Sequence, residues 1–173
     1  TISSNRHAVR IEAGYAVING GNYTLIPYAN RTQHALNVSG ESNVIVKNGS
    51  FIGPKGTKSD SGSAVNVQNG STVTIECGDF SGGKEKTLAC NADGFLYVKG
   101  GEFDQDPAGW VAEGYIAVEV AGRKSYVVLP DTDDYDIAIT DPAQLTNDVI
   151  ENNETIYLAA GEYTIELYTN ITN

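Results

Sequence analysis

Between residues 8 and 103, apolar positions recur two apart in short runs. Val9 and Ile11, Leu36 and Val38, Val65 and Val67, and Leu88 and Cys90 share one parity. Ala16 and Ile18, Val44 and Val46, Val73 and Ile75, and Leu96 and Val98 share another. A period of two predicts strands with one face turned inward. The opposite parity of the second set ends in Asn19, Lys47, Glu76 and Lys99, which belong in water. The two runs are separated by a Gly- or Asn-bearing turn and followed by Gly-x-aromatic. The chain therefore reads as four copies of one unit: "AVRIEAGYAVINGGNYTL", "ALNVSGESNVIVKNGSFIG", "AVNVQNGSTVTIECGDFSG" and "TLACNADGFLYVKGGEFDQ".

The closing glycines are Gly21, Gly49, Gly78 and Gly101, spaced 28, 29 and 23 apart, and Tyr23, Phe51, Phe80 and Phe103 follow at the same spacing. Length varies in one place, after the aromatic, in "TLIPYANRTQH", "IGPKGTKSDSGS" and "SGGKEK". A unit this short buries no core alone, whereas stacked copies bury a continuous one. On these residues, 8 to 103, the chain resembles the right-handed parallel β-helix of the pectate-lyase-like superfamily. Its "GGNY" and "GGEF" endings are similar to repeat units of exported surface proteins and phage appendage proteins. The resemblance implies an all-β fold, a right-handed parallel β-helix of about four to five rungs with one short helix near the C-terminus. A β-sandwich with coincidental periodicity is the plainer alternative.

Residues 106–128, "DPAGWVAEGYIAVEVAGRKSYVV", break the register and are expected to close the end of the stack, protecting strand edges. Residues 1–130 thus form the β-helix with its closing segment. Residues 131–173 form a linker, a short helix and terminal strands, either a cap or the start of a further β-helix. In the last part Asp141 is placed to cap a helix beginning at Pro142 and running to about Glu151, with Leu145, Val149 and Ile150 on one face. "TIYLAAGEYTIEL" reads as two strands around Gly161.

Composition narrows the function. Nineteen glycines and ten tyrosines fit a turn-rich β protein. The net charge of -11 and pI near 4.4 argue against nucleic acid, whose phosphates call for clustered Lys and Arg. No apolar run is long enough for a membrane helix. The chain starts at Thr1 and has no Met, which reads as a processed or excised piece of something longer. Cys77 and Cys90 are 13 residues apart without a nearby His and are expected to be buried free thiols, with one disulfide as the alternative. Asp131, Asp133, Asp134 and Asp136 raise calcium, but the EF-hand glycine and terminal Glu are absent, so a solvated linker is expected and no metal.

Catalytic patterns fail. Arg10, Asn37, Asn66 and Ala89, the outward first-strand positions, supply no carboxylate pair of the kind a glycosidase needs. Glu76 and Asp79, in "VTIECGDF", read as rim residues of a repeated unit. His7 and His34 read as loop residues, His7 before the first strand, with no nucleophile motif beside them. "GRK" at 122–124 falls outside the stacked strands, and "GPKG" at 53–56 is no phosphate loop. Asn22, Asn30, Asn37, Asn48, Asn69, Asn153 and Asn170 each open an Asn-x-Ser/Thr sequon. β-Helix turns enrich these residues for backbone reasons too.

The expectation is therefore a non-catalytic structural module of an exported cell-surface or phage virion fibre or decoration protein, extracellular, with no cofactor. A carbohydrate-binding adhesin module is the alternative, and a polysaccharide lyase or hydrolase a more distant one. Val17, Ile45, Thr74 and Tyr97 form a predicted apolar strip on the outside of the second strands. Contiguous apolar surface marks contacts. The strip is expected to be covered by a neighbouring chain in a homo-oligomer or fibre, or by residues 110–128.

Overall fold

A computed structural model describes residues 2–4, 6–25, 32–54, 62–83, 86–133, 135–153, 155–161 and 163. The fold is all-β and mostly parallel. After a short β1 (Ile2–Ser4), the chain passes four times through the same three sheets. The first passage is β2 (His7–Ile11), β3 (Tyr15–Ile18) and β4 (Asn22–Leu25), and the second is β5 (Gln33–Val38), β6 (Asn43–Val46) and β7 (Ser50–Ile52). The third is β8 (Gly62–Val67), β9 (Thr72–Ile75) and β10 (Asp79–Ser81), and the fourth β11 (Leu88–Cys90), β12 (Phe95–Val98) and β13 (Gly101–Phe103). Strands β2, β5, β8 and β11 make one parallel sheet, and β3, β6, β9 and β12 a second. β1, β4, β7, β10 and β13 begin the third.

The register follows the sequence repeat. Val44 pairs with Val73, Leu36 with Val65, and Phe51 with Phe80. Both apolar parities turn inward: Leu36, Val38, Val44, Val46, Val65, Val67, Val73, Ile75 and Val98 are fully buried in one core. Asn19, Lys47, Glu76 and Lys99 are exposed, as their parity requires. The aromatics form a column inside that core. Ring centroids are 4.7 Å apart for Tyr23–Phe51, 5.2 Å for Phe51–Phe80 and 4.9 Å for Phe80–Phe103, all stacked. The spacing is that of neighbouring strands, so the column is a consequence of register.

The glycine two positions earlier is fixed by the same stacking. Gly49, Gly78 and Gly101 have φ of 133°, 128° and 108°. A Cβ on Gly78 would lie 2.6 Å from the Gly49 carbonyl oxygen, and one on Gly101 2.8 Å from that of Gly78. Those carbonyls accept hydrogen bonds from Asp79 and Glu102 at 2.8 Å, so they have no room to retreat. Positive φ and a backbone neighbour together leave glycine as the residue that fits.

Residues after 103 close the stack, but by an antiparallel route. A 3₁₀ turn, Ala108–Trp110, brings Trp110 and Val111 against the core, and Val111 bridges Val98 to extend the second sheet. β14 (Tyr115–Glu119) and β15 (Tyr126–Pro130) form a hairpin, and β15 pairs antiparallel with β13. The hairpin's other face joins a second core: Val118, Val120, Val127, Leu129 and Ala138, with Tyr135 and Tyr157 packed on it. β16 (Ile137–Ile139) and β17 (Ile156–Leu158) form a separate parallel pair there.

The expected single helix is split. Asp141 does cap at Pro142, accepting from Ala143 N, but it caps a 3₁₀ turn, Pro142–Gln144. The α-helix, α1 (Asn147–Asn152), starts afresh with Thr146 as its cap. The break falls at Leu145 and Thr146, both extended (ψ 96° and 162°), while Gln144 Oε1 accepts from Thr140 N and Asp141 N and completes a capping box with Asp141. Of the two strands expected around Gly161, β17 is present, and the second lies outside the described residues.

Candidate functional site

The outer face of the second sheet carries the predicted strip. Val17 pairs with Ile45, Ile45 with Thr74, and Thr74 with Tyr97, so the four residues stand in one row across four strands. A parallel row, Tyr15, Asn43, Thr72 and Phe95, lies two residues away on the same face. Tyr15 is 64% exposed, Phe95 52%, Tyr97 44% and Val17 37%, so the apolar and aromatic side chains reach water in this chain. Ile45 and Thr74 are half-buried.

A second feature is a cleft of about 420 Å³ between the turns leading into the third sheet and the C-terminal segment. It is lined by Glu76, Cys77, Asp79, Lys99 and Glu102 from the repeat units and by Val127, Leu129, Thr140 and Tyr157 from the chain after them. Strand register brings the first group together, because Asp79 pairs with Glu102, and Lys47, Glu76 and Lys99 each donate their N–H to the preceding strand. The repeat carries the signal for this grouping, since Lys99 and Glu102 follow Glu76 and Asp79 at the same 23-residue offset. Glu102 is held: its Oε1 accepts from Ser125 Oγ at 2.9 Å, and Arg123 lies 3.9 Å away. Glu76 and Asp79 are exposed, and their side chains make no hydrogen bond or ion pair among the described residues.

Three expectations are corrected. Cys77 is exposed rather than buried, because it sits in the turn between β9 and β10, outside the pleat. Cys90 follows the inward parity and is half-buried, its thiol pushed up by burial and then by Asp93, and both cysteines are free. His7 and His34 are not loop residues. His7 opens β2, His34 lies inside β5, and the two pair in register with rings stacked 5.5 Å apart. The signal was available, since 27 residues separate them, as they separate Val9 from Leu36.

That register extends to Ser63, whose Oγ lies 2.8 Å from His34 Nδ1. The pair is not an accessible nucleophile. Ser63 is 1% exposed and His34 8%; the hydroxyl donates to Val65 O and the Ser63 N–H donates to Nδ1. Burial and then His7 lower the His34 pKa to about 4, so the ring is neutral at pH 7. His7 is lowered as well, by burial, then Arg10, with Arg6 adding to it.

The remaining candidates do not converge. Arg10, Asn37, Asn66 and Ala89 do form one register row. Asn37 and Asn66 are buried, however, and joined Nδ2 to Oδ1 at 2.8 Å, an amide pair that satisfies itself. Burial also closes the Asn37 sequon to a glycan. Asp133 accepts from Tyr135 OH, and Asp136 accepts from Thr155 N, so these aspartates point to different partners. Among the described residues no cluster of three or more His, Cys, Asp or Glu is placed to hold a metal, and no helix is long and apolar enough to cross a membrane.

No protein-family model, curated protein or solved structure gives a significant match to the chain.

Proposed function

We propose that the chain is a non-catalytic structural module, a right-handed parallel β-helix section of an exported cell-surface or virion fibre protein that works as part of an oligomer. Four passages through three in-register parallel sheets support the coil, with a closed column of aromatics along its axis. Stacked rungs of this kind make a stiff rod.

The observation that carries the assembly is the row Val17, Ile45, Thr74 and Tyr97, exposed at its two ends, beside the exposed Tyr15 and Phe95. Single exposed apolar residues are ordinary; two adjacent rows on one flat sheet are a contact surface. Light scattering on the 173-residue chain is expected to give a mass above the monomer. Ile45→Lys and Tyr97→Lys should return it to the monomer without loss of fold. A monomeric wild type that these charges leave unaltered would refute the lateral contact.

A carbohydrate-binding reading is favoured by one observation, the cleft lined by Tyr157 together with Glu76, Asp79 and Glu102. A tyrosine ring offers a sugar an apolar face, and carboxylates accept from its hydroxyls. Titration calorimetry with neutral oligosaccharides tests it: binding should fall about tenfold or more in Glu76→Gln and Tyr157→Ala. Binding that ignores both changes would place any glycan elsewhere.

A further inference from the structure

We propose that the open edge formed by β2 and β3 takes the β16–β17 unit of a second copy of this chain, so that copies join head to tail. The inference rests on the β-helix reading above. β2 and β3 are the end strands of their sheets, and β17 pairs with β16 alone among the described residues. β1 already covers β4, so the unfilled space lies over β2 and β3. Val9, Ile11 and Ala16 of that first passage are half-buried, whereas their register partners Leu36, Val38 and Val44 are fully buried; Ile18 alone of its inward residues is buried.

The occupant is marked by sequence and by geometry. "GNYTLIPYAN" at 21–30 recurs as "GEYTIELYTN" at 161–170, with Gly, Tyr, Thr, Tyr and Asn at matching places. Tyr163 OH donates to Ala159 O at 2.8 Å, and Tyr23 OH donates to Gly20 O at 2.7 Å, so the two tyrosines are tied back alike. In this alignment Ile156 and Leu158 stand at the inward positions of Ala16 and Ile18. Leu158 is 40% exposed, an inward-type residue with no core yet over it. β17 laid on β3 would bring Leu158 and Ile156 over the half-buried first passage.

Charge favours the same pairing. In the first 40 residues Arg6, Arg10 and Arg31 stand against Glu12 alone. Residues 131–173 hold ten Asp and Glu and no Lys or Arg. Opposite ends of opposite sign steer copies into one polarity.

Cross-linking of the 173-residue chain tests the joint. On a Cys77→Ser, Cys90→Ser background, Tyr15→Cys and Thr155→Cys place thiols on strands predicted to be neighbours. Adjacent strands run about 4.8 Å apart, within disulfide reach. Mild oxidation of the double variant should give a ladder of covalent multimers, a mixture of the two single variants only dimers, and either single variant alone only monomers. Leu158→Lys and 0.5 M salt should each cut the ladder about tenfold. A double variant that cross-links no more than the singles, or a ladder indifferent to Leu158→Lys and salt, overturns the proposal. Ile45→Lys should leave the ladder intact, so the end joint and the lateral contact fail separately.

Discussion

Phe80→Ala is expected to lower the unfolding free energy by about 3–5 kcal/mol, the range for deleting a buried ring. Phe80 is 1% exposed and stacks on two rings at once, Phe51 at 5.2 Å and Phe103 at 4.9 Å. Removing it opens a hole in the middle of the column, where neither neighbour can collapse inward because each is held by its own strand. Tyr23→Ala, at the half-buried end of the column, should cost less. Urea unfolding of the two variants measures both. Equal costs, or no cost at Phe80, would be incompatible with a closed central column.

Acid is expected to remove about 3 kcal/mol of stability between pH 6.5 and pH 4, through His34. The ring is neutral in the folded chain because its pKa is lowered to about 4 from the ordinary 6.5, burial being the larger cause and His7 the second. In that window the unfolded chain binds a proton that the folded chain refuses, so stability is full above pH 6.5 and falls as pH drops. The groups around the pair add to the effect: Arg6 and Arg10 face His7, and Ser63 N–H already points at His34 Nδ1. Chemical denaturation at pH 7.5, 5.5 and 4 should show the decline in the wild type and a flatter profile in His34→Gln. A wild-type profile flat from 7.5 to 4 would contradict a buried neutral imidazole.

The core was legible because alternation and repeat agree. Parity alone placed Val44, Val46, Val73 and Ile75 inside, and the Gly-x-aromatic spacing put Phe51 over Phe80. His34 was misread because β5 is buried on both faces from Gln33 to Val38, so its polar first residues lie inside the strand although they precede the alternating Leu36 and Val38. Its 27-residue offset from His7 carried the information instead. The β14–β15 hairpin was illegible for a different reason: reversal of direction leaves no trace in a parallel repeat, and its second face serves another core. The cleft depends on both, since some of its lining residues come from strand register and the others from the chain after the repeat.

The glycine column bears on how such a chain can lengthen. Each of Gly49, Gly78 and Gly101 is confined by the carbonyl of the unit before it, and Gly49 and Gly78 each offer the same carbonyl to the unit after. A unit copied in frame into the gene would therefore meet a seat already shaped for it on both sides. Duplication can add or remove whole units without inventing a contact, whereas a point change at one of these glycines disturbs two units together. The number of units is accordingly free to drift over generations while the glycine that joins one unit to the next is not.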